Sequence, residues 1–188
     1  NPDGVILVPT TLELTRQFTE ELHDRNIPFI LLDSFMPSLQ PLSFYGQDSI
    51  QSGHFAAKML MLIAQREKSI MLMKQTKDGK MASRQQANRE VGFRNYMQEN
   101  YPDIKILEVN LPLDEERKRY DHILEKFFSE HPEVHHCITL NSKAHIVGKF
   151  LLKTHRHNVQ IMGYDVVHKN ADCLRDGSIS FLIAQHAY

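Results

Sequence analysis

Three apolar runs in this sequence stop at a side chain able to hold a ligand. They are Ile30-Leu31-Leu32-Asp33, Cys137-Ile138-Thr139-Leu140-Asn141 and Val159-Gln160-Ile161-Met162-Gly163-Tyr164-Asp165. A carboxylate accepts hydrogen bonds and a carboxamide both gives and takes them, so such ends suggest a polar, neutral ligand. In open α/β sheets ligands bind beyond the carboxyl ends of the strands, where Asp33, Asn141 and Asp165 would then stand.

The elements that must position these residues alternate between strand and helix. Val5–Val8 and Phe29–Leu32 read as buried strands around a helix over 12–25, with Leu14, Phe18 and Leu22 as its apolar stripe. The stretch from Ser34 to Gln47 has no period and reads as a connection between lobes. A helix capped by Asp48 or Ser49 follows, with Ile50, Gly53, Ala57, Leu60, Met61 and Ala64 facing inward. Ile70–Met73 is a strand and 74–81 a polar loop. A helix over 83–99 buries Val91, Phe93, Tyr96 and Met97, with Gly92 allowing close approach to the sheet. Ile104–Val109 is the next strand. Asp114-Glu115-Glu116 opens a helix with acid at its positive end, and Tyr120, Ile123, Leu124, Phe127 and Phe128 form its stripe. Strand 134–140, helix 142–153, strand 159–163, a short helix through Leu174 and strand 178–183 complete the chain. Strands alternating with helices, without repeats, define a doubly wound α/β protein with parallel sheets. The unpatterned stretch ending at Gln47 separates 1–47 from 48–184.

Composition narrows the function. Lys and Arg number 22 against 23 Asp and Glu, a net charge of −1 over 188 residues, so no general field attracts DNA or an anionic membrane. Cys137 and Cys173 are too few for a disulfide framework and read as buried thiols of a reducing compartment. No run approaches the ~18–20 apolar residues of a membrane span. Both ends read as interior sequence, so further chain is expected on either side.

Gly-x-Gly-x-x-Gly, the phosphate-binding loop and Gly-x-Ser-x-Gly are all absent. His131, His135 and His136 invite a metal reading, but neighbouring strand residues point to opposite faces and no Cys/His pair has finger spacing. No metal or cofactor is expected. By spacing alone, Asp165 could cap the helix after it, Asp33 could satisfy loop amides, Asn141 could cap the helix from Ser142, and Arg89 could be a solvated helix arginine.

Taken together, these segments resemble the effector-binding domain of lac-repressor-type (LacI/GalR) transcription regulators, which share the periplasmic-binding-protein-like type 1 fold with sugar-binding proteins. The resemblance rests on Asp3-Gly4-Val5-Ile6-Leu7, Ile27-Pro28-Phe29-Ile30-Leu31-Leu32-Asp33, Arg89-Glu90-Val91-Gly92-Phe93, Ile161-Met162-Gly163-Tyr164-Asp165 and Ile183-Ala184-Gln185. It departs from the family in the loop over 34–46 and near Asn110-Leu111, where the family carries an aromatic residue.

The resemblance implies two truncated lobes with a small effector, a carbohydrate, in the cleft between them. These are a partial N-terminal lobe with crossover (1–47) and a C-terminal lobe (48–184), followed by the start of a return crossover (185–188). It points to Asp33, Arg89, Asn141, Asp165 and Gln185 as ligand-binding residues, with Gln85 one turn before Arg89. It implies a non-enzymatic, cytoplasmic homodimer without membrane contact, binding operator DNA through a helix-turn-helix headpiece outside this chain. Two further readings compete. One is a periplasmic sugar-binding protein or sensor serving transport or a sensor kinase; the other is an α/β enzyme using Asp165 and His168 as acid and base.

Overall fold

The computed structural model describes residues 2–9, 12–77, 79–81, 83–113 and 117–185. The acidic opening at 114–116, Asp78 of the loop after the third apolar strand run, and most of the expected return crossover lie outside them. The chain divides into two compact units, with the boundary between Asp48 and Ser49.

The first unit is a parallel sheet of β1 (Val5–Leu7), β2 (Phe29–Leu32) and β3 (Ser43–Tyr45), in that order, with α1 (Leu12–Asp24) between β1 and β2. β3 was not legible as a strand. It has only three residues, and its pairing with Ile30–Leu32 rather than any apolar alternation defines it. The core is Leu22, Ile27, Phe29, Leu31, Met36 and Leu39. The expected α1 stripe is corrected by one position: Leu14 and Phe18 are 66% and 42% exposed, and the buried face is Thr15, Thr19 and Leu22. The pairs Leu14/Phe18 and Thr15/Thr19 both have i, i+4 spacing and both lead to Leu22, so periodicity alone cannot choose between them.

The second unit is a six-stranded sheet. Five parallel strands run in the order β6 (Lys105–Pro112), β4 (Ser69–Lys77), β7 (His136–Thr139), β8 (Gln160–Tyr164) and β9 (Phe181–Ile183). The short β5 (Lys80–Met81) turns back antiparallel on the end of β4, so the expected polar loop is a hairpin; Gly79 supplies its positive φ of 73°. The β-period divides the core. Ile70, Leu72, Ile138 and Met162 face α2 (Ser49–Met61) and α3 (Arg84–Asn100). Met71, Met73, Cys137 and Ile161 face the other side, with α4 (Arg117–Glu130), α5 (Ala144–Lys153) and α6 (His168–Arg175). Each buried Met or Ile contributes roughly 1.5–3 kcal/mol by leaving water.

Gly53 and Gly92 lock α2 to α3. A Cβ at Gly53 would lie 1.8 Å from the Arg89 carbonyl oxygen, and one at Gly92 would lie 1.8 Å from that of Ile50. Gly92 therefore admits α2, not the sheet as the sequence suggests. The same contact turns Val91 outward, 48% exposed, while Gln86, Arg89, Phe93 and Met97 face inward; Ile50 is likewise exposed rather than buried.

Candidate functional site

β4 pairs with β6 on one edge and with β7 on the other, and α3, leaving β4, covers the opposite face from α5, leaving β7. The carboxyl ends of β4 and β7 therefore part at the switch point of the sheet, where α/β proteins build ligand sites. A pocket of about 280 Å³ opens there. That is close to the lower end of the ~300–1,000 Å³ usual for small-molecule sites.

β4 outruns β7. Thr139, the last residue of β7, stands opposite Met73, and β5 joins β4 only at Thr76. The backbone of Gln75, between them, is met by a side chain. Gln86 Nε2 donates to the Gln75 carbonyl at 3.0 Å, and Gln86 Oε1 accepts from the Gln75 amide at 3.3 Å. A buried carboxamide thus completes the strand edge as a neighbouring strand would. Gln86 Nε2 also reaches Met81 Sδ, and Gln86 Oε1 accepts from Asn141 Nδ2. Ser83 caps α3, its hydroxyl accepting from the Gln86 amide at 3.1 Å.

One turn along α3, Arg89 is 1% exposed, correcting the solvated-arginine alternative. Its Nη1 donates to the Leu140 carbonyl at 3.1 Å, and its guanidinium carbon lies 4.0 Å from the Tyr164 ring centroid. The Tyr164 hydroxyl donates in turn to the Ser52 carbonyl at 2.8 Å. Burial pushes this phenol up; the Ser52 hydroxyl, 3.0 Å from the phenol oxygen, and the Arg89 charge pull the other way.

Asn141 follows β7. Its Oδ1 accepts from Thr139 Oγ1 and from the Lys143 amide, each at 2.9 Å. The helix expected from Ser142 begins instead at Ala144, so Asn141 makes an Asx turn ahead of it rather than a cap. With one Nδ2 hydrogen given to Gln86, the other is left to offer a ligand.

Asp165 follows β8 with φ 65°, and its amide donates to the Ile183 carbonyl at 2.9 Å. Helix α6 starts at His168 after Val167, so Asp165 is no N-cap. Its Oδ1 accepts from Gln185 Nε2 at 2.6 Å. Asp33 ends β2 in the same way in the first unit, with φ 69° and its amide donating to the Tyr45 carbonyl at 2.9 Å. In each unit the chain pairs one residue past its strand, then turns through a left-handed aspartate.

Gln85, Arg89, Asn141 and Asp165 line the pocket, and Gln185 touches Asp165. Asp33 belongs to the first unit. Sequence reasoning did not single out Gln75, Gln86, Lys143 or Asn170. The i, i+3 step from Gln86 to Arg89 was an available signal for Gln86. Asn170 left none, since its role depends on folding. Fully buried, its Nδ2 donates to the carbonyls of Ser142, Tyr164 and Asp165 at 2.9–3.1 Å. Its Oδ1 accepts from the His145 amide at 3.0 Å, tying the loops after β7 and β8 together.

His135 and His136, expected on opposite faces, both approach Glu67, at 3.7 and 3.0 Å, because the strand starts only at His136. Among the described residues no group of three or more His, Cys, Asp or Glu could hold a metal ion. His168, offered as a partner of Asp165 in the enzyme reading, is 87% exposed at its side chain and approaches Asp172 instead.

A model of the periplasmic binding protein domain matches residues 1–188. The chain belongs to this family. The family is one of binding and regulatory domains rather than enzymes. Over 98% of its length this periplasmic binding protein domain is 45% identical, at a TM-score of 0.90, to a Bacteroides fragilis protein described as a "putative LacI transcriptional regulator". It spans 63% of that relative. A carbohydrate transporter solute-binding protein from Agrobacterium radiobacter, in complex with D-arabinose, is 22% identical with a TM-score of 0.79; 98% of this chain and 63% of that one are covered. A solute-binding protein from Agrobacterium vitis, bound to α-D-tagatopyranose, is 23% identical with the same TM-score, covering 98% and 64%. These two share the fold. No curated protein matches the chain. No helix among the described residues is long and apolar enough to cross a membrane.

Proposed function

We propose that this chain is the effector-sensing part of a LacI-type transcription regulator and that it takes a carbohydrate. The similarity to the Bacteroides fragilis protein carries the reading. The pocket chemistry supports it. A carboxylate, a guanidinium and carboxamides converge there, and such groups hold paired hydroxyls through charge-assisted hydrogen bonds. In this reading Arg89 donates to hydroxyl or ring oxygens, Asp165 accepts, and Asn141 and Gln185 do both. Gln85 supplies a further contact. Operator DNA is bound by a headpiece outside this chain, the regulator works as a homodimer in the cytoplasm, and no catalysis or cofactor is involved. The effector acts through its difference in affinity for two conformations of the regulator.

Calorimetric titration of the full-length protein with a sugar panel tests the reading. Saturable binding that changes operator affinity, and is lost in Arg89→Ala and Asp165→Ala, is expected. Unchanged sugar affinity in both variants would remove these residues from the site. A second reading, a solute-binding protein serving transport, draws on the fold shared with the two Agrobacterium proteins. The complete reading frame separates the two: a basic helix-turn-helix supports the regulator, an export signal the transporter component.

A further inference from the structure

We propose that the ligand of this pocket is an anionic carbohydrate, a sugar carrying a carboxylate or a phosphate, and that Lys143 selects it. The inference rests on the carbohydrate-sensing reading and departs from the neutral ligand suggested by the strand ends alone.

Its basis is the charge lining the pocket. Arg89 and Lys143 bring two cations, and Asp165 is the one carboxylate among the described lining residues. One oxygen of that carboxylate is already held by Gln185 at 2.6 Å. Lys143 is exposed and enters no ion pair among the described residues. Its place is also fixed, since its amide is held by Asn141 Oδ1 at 2.9 Å immediately before α5.

The surroundings reinforce the sign. The opening turn of α3 and the residues leading into α5 both border the pocket, so two helix N-termini add partial positive charge where peptide amides collect. Behind the α5 start, the His145 side chain is held below the usual imidazole range. Burial is the main cause, the Asn170 hydrogen bond opposes it, and the charges of Lys143, Lys169 and Lys149 add to it. Those lysines gather positive charge around His145, and of the three Lys143 lines the pocket. A neutral sugar would leave the Lys143 charge without a counterpart, whereas a carboxylate or phosphoryl group would pair with it.

The test is calorimetric titration of the full-length protein with D-glucose, D-arabinose, D-glucuronate, D-glucose 6-phosphate, acetate and inorganic phosphate, at low and high salt. An acidic sugar is expected to bind at least about tenfold more tightly than its neutral parent, and less so at high salt. Glucuronate and glucose 6-phosphate distinguish the two anionic groups. Lys143→Gln is expected to abolish most of the preference and Lys143→Arg to retain it. Equal or tighter binding of the neutral sugars, or a preference that survives Lys143→Gln, overturns the proposal and leaves the carbohydrate reading in place. Binding of acetate or phosphate without any sugar, or no binding across the panel, overturns both.

Discussion

The guanidinium carbon of Arg89 lies over the Tyr164 ring, 4.0 Å from its centroid, while Nη1 holds the Leu140 carbonyl. One side chain of α3 thus joins the ends of β7 and β8 beneath the pocket. Desolvated cation–π contacts of this kind contribute about 2 kcal/mol or more. Arg89→Ala should destabilise the second unit by about 2–4 kcal/mol, because it removes the contact and strips a partner from a buried carbonyl. Arg89→Lys should recover only part of this, lacking the planar fork. Denaturant unfolding of the variants measures both.

Gln86 is predicted to be a positioning residue. Its amide is spent on the Gln75 backbone, Met81 and Asn141, so it has little to offer a ligand directly. Gln86→Leu should cost about 1–3 kcal/mol by leaving the Gln75 backbone groups unpaired. Amide exchange at Gln75 should quicken, and ligand affinity should fall through Asn141. Unaltered exchange at Gln75 would refute the strand-edge role.

Gly53 and Gly92 should not tolerate even alanine. The new Cβ meets a helix carbonyl at 1.8 Å, and backbone cannot give way as a flexible side chain can. Gly92→Ala is expected to cost more than about 3 kcal/mol, and to displace Arg89 by prising α3 from α2. Gly177→Ala is the control: nothing lies within 4 Å, and only its φ of 79° resists substitution, so about 1 kcal/mol is expected. Thermal melts rank the two.

Asp33 and Asp165 offer a cleaner separation of fold from function. Both have positive φ, which glycine adopts freely. Asp33→Gly and Asp165→Gly should therefore leave stability within about 1 kcal/mol of the parent, while Asp165→Gly removes a carboxylate from the proposed ligand contacts. Loss of sugar binding with an unchanged melting temperature is the expected result for Asp165→Gly.

Acid should weaken the second unit in two steps. The His145 imidazole is held below its ordinary range, so the unfolded chain binds its proton more readily, and this contribution declines as pH falls below about 6.5. Glu108 is held low chiefly by its hydrogen bond to Lys74, at 2.6 Å, with Arg94 adding to it. Its contribution is complete above the ordinary carboxylate pKa and is lost as pH falls through the lower folded value. Because Glu108 is over a third exposed, salt should reduce the second step. Unfolding free energy followed from pH 8 to 3, for the parent and for His145→Gln and Glu108→Gln, should show each step vanish with its residue.

Much of this protein was determined by its sequence alone. Apolar runs ending in Asp33, Asn141 and Asp165, separated by helix-period segments, dictate parallel strands with polar tips, because burial on both faces demands such runs and backbone polarity demands that they pair. Family motifs then singled out Arg89, which periodicity left as an ordinary helix arginine. Tertiary structure decided the remainder. Which face of α1 is covered, whether Gly92 meets a sheet or a helix, and where β4 outruns β7 depend on partners distant in the chain. The roles of Gln86 and Asn170 arise the same way. A buried amide acquires its function from the carbonyls and amides that packing brings to it, Gln75 for one and Ser142, Tyr164 and Asp165 for the other. Local propensity carries no record of those meetings, since they exist only once the sheet has closed around them.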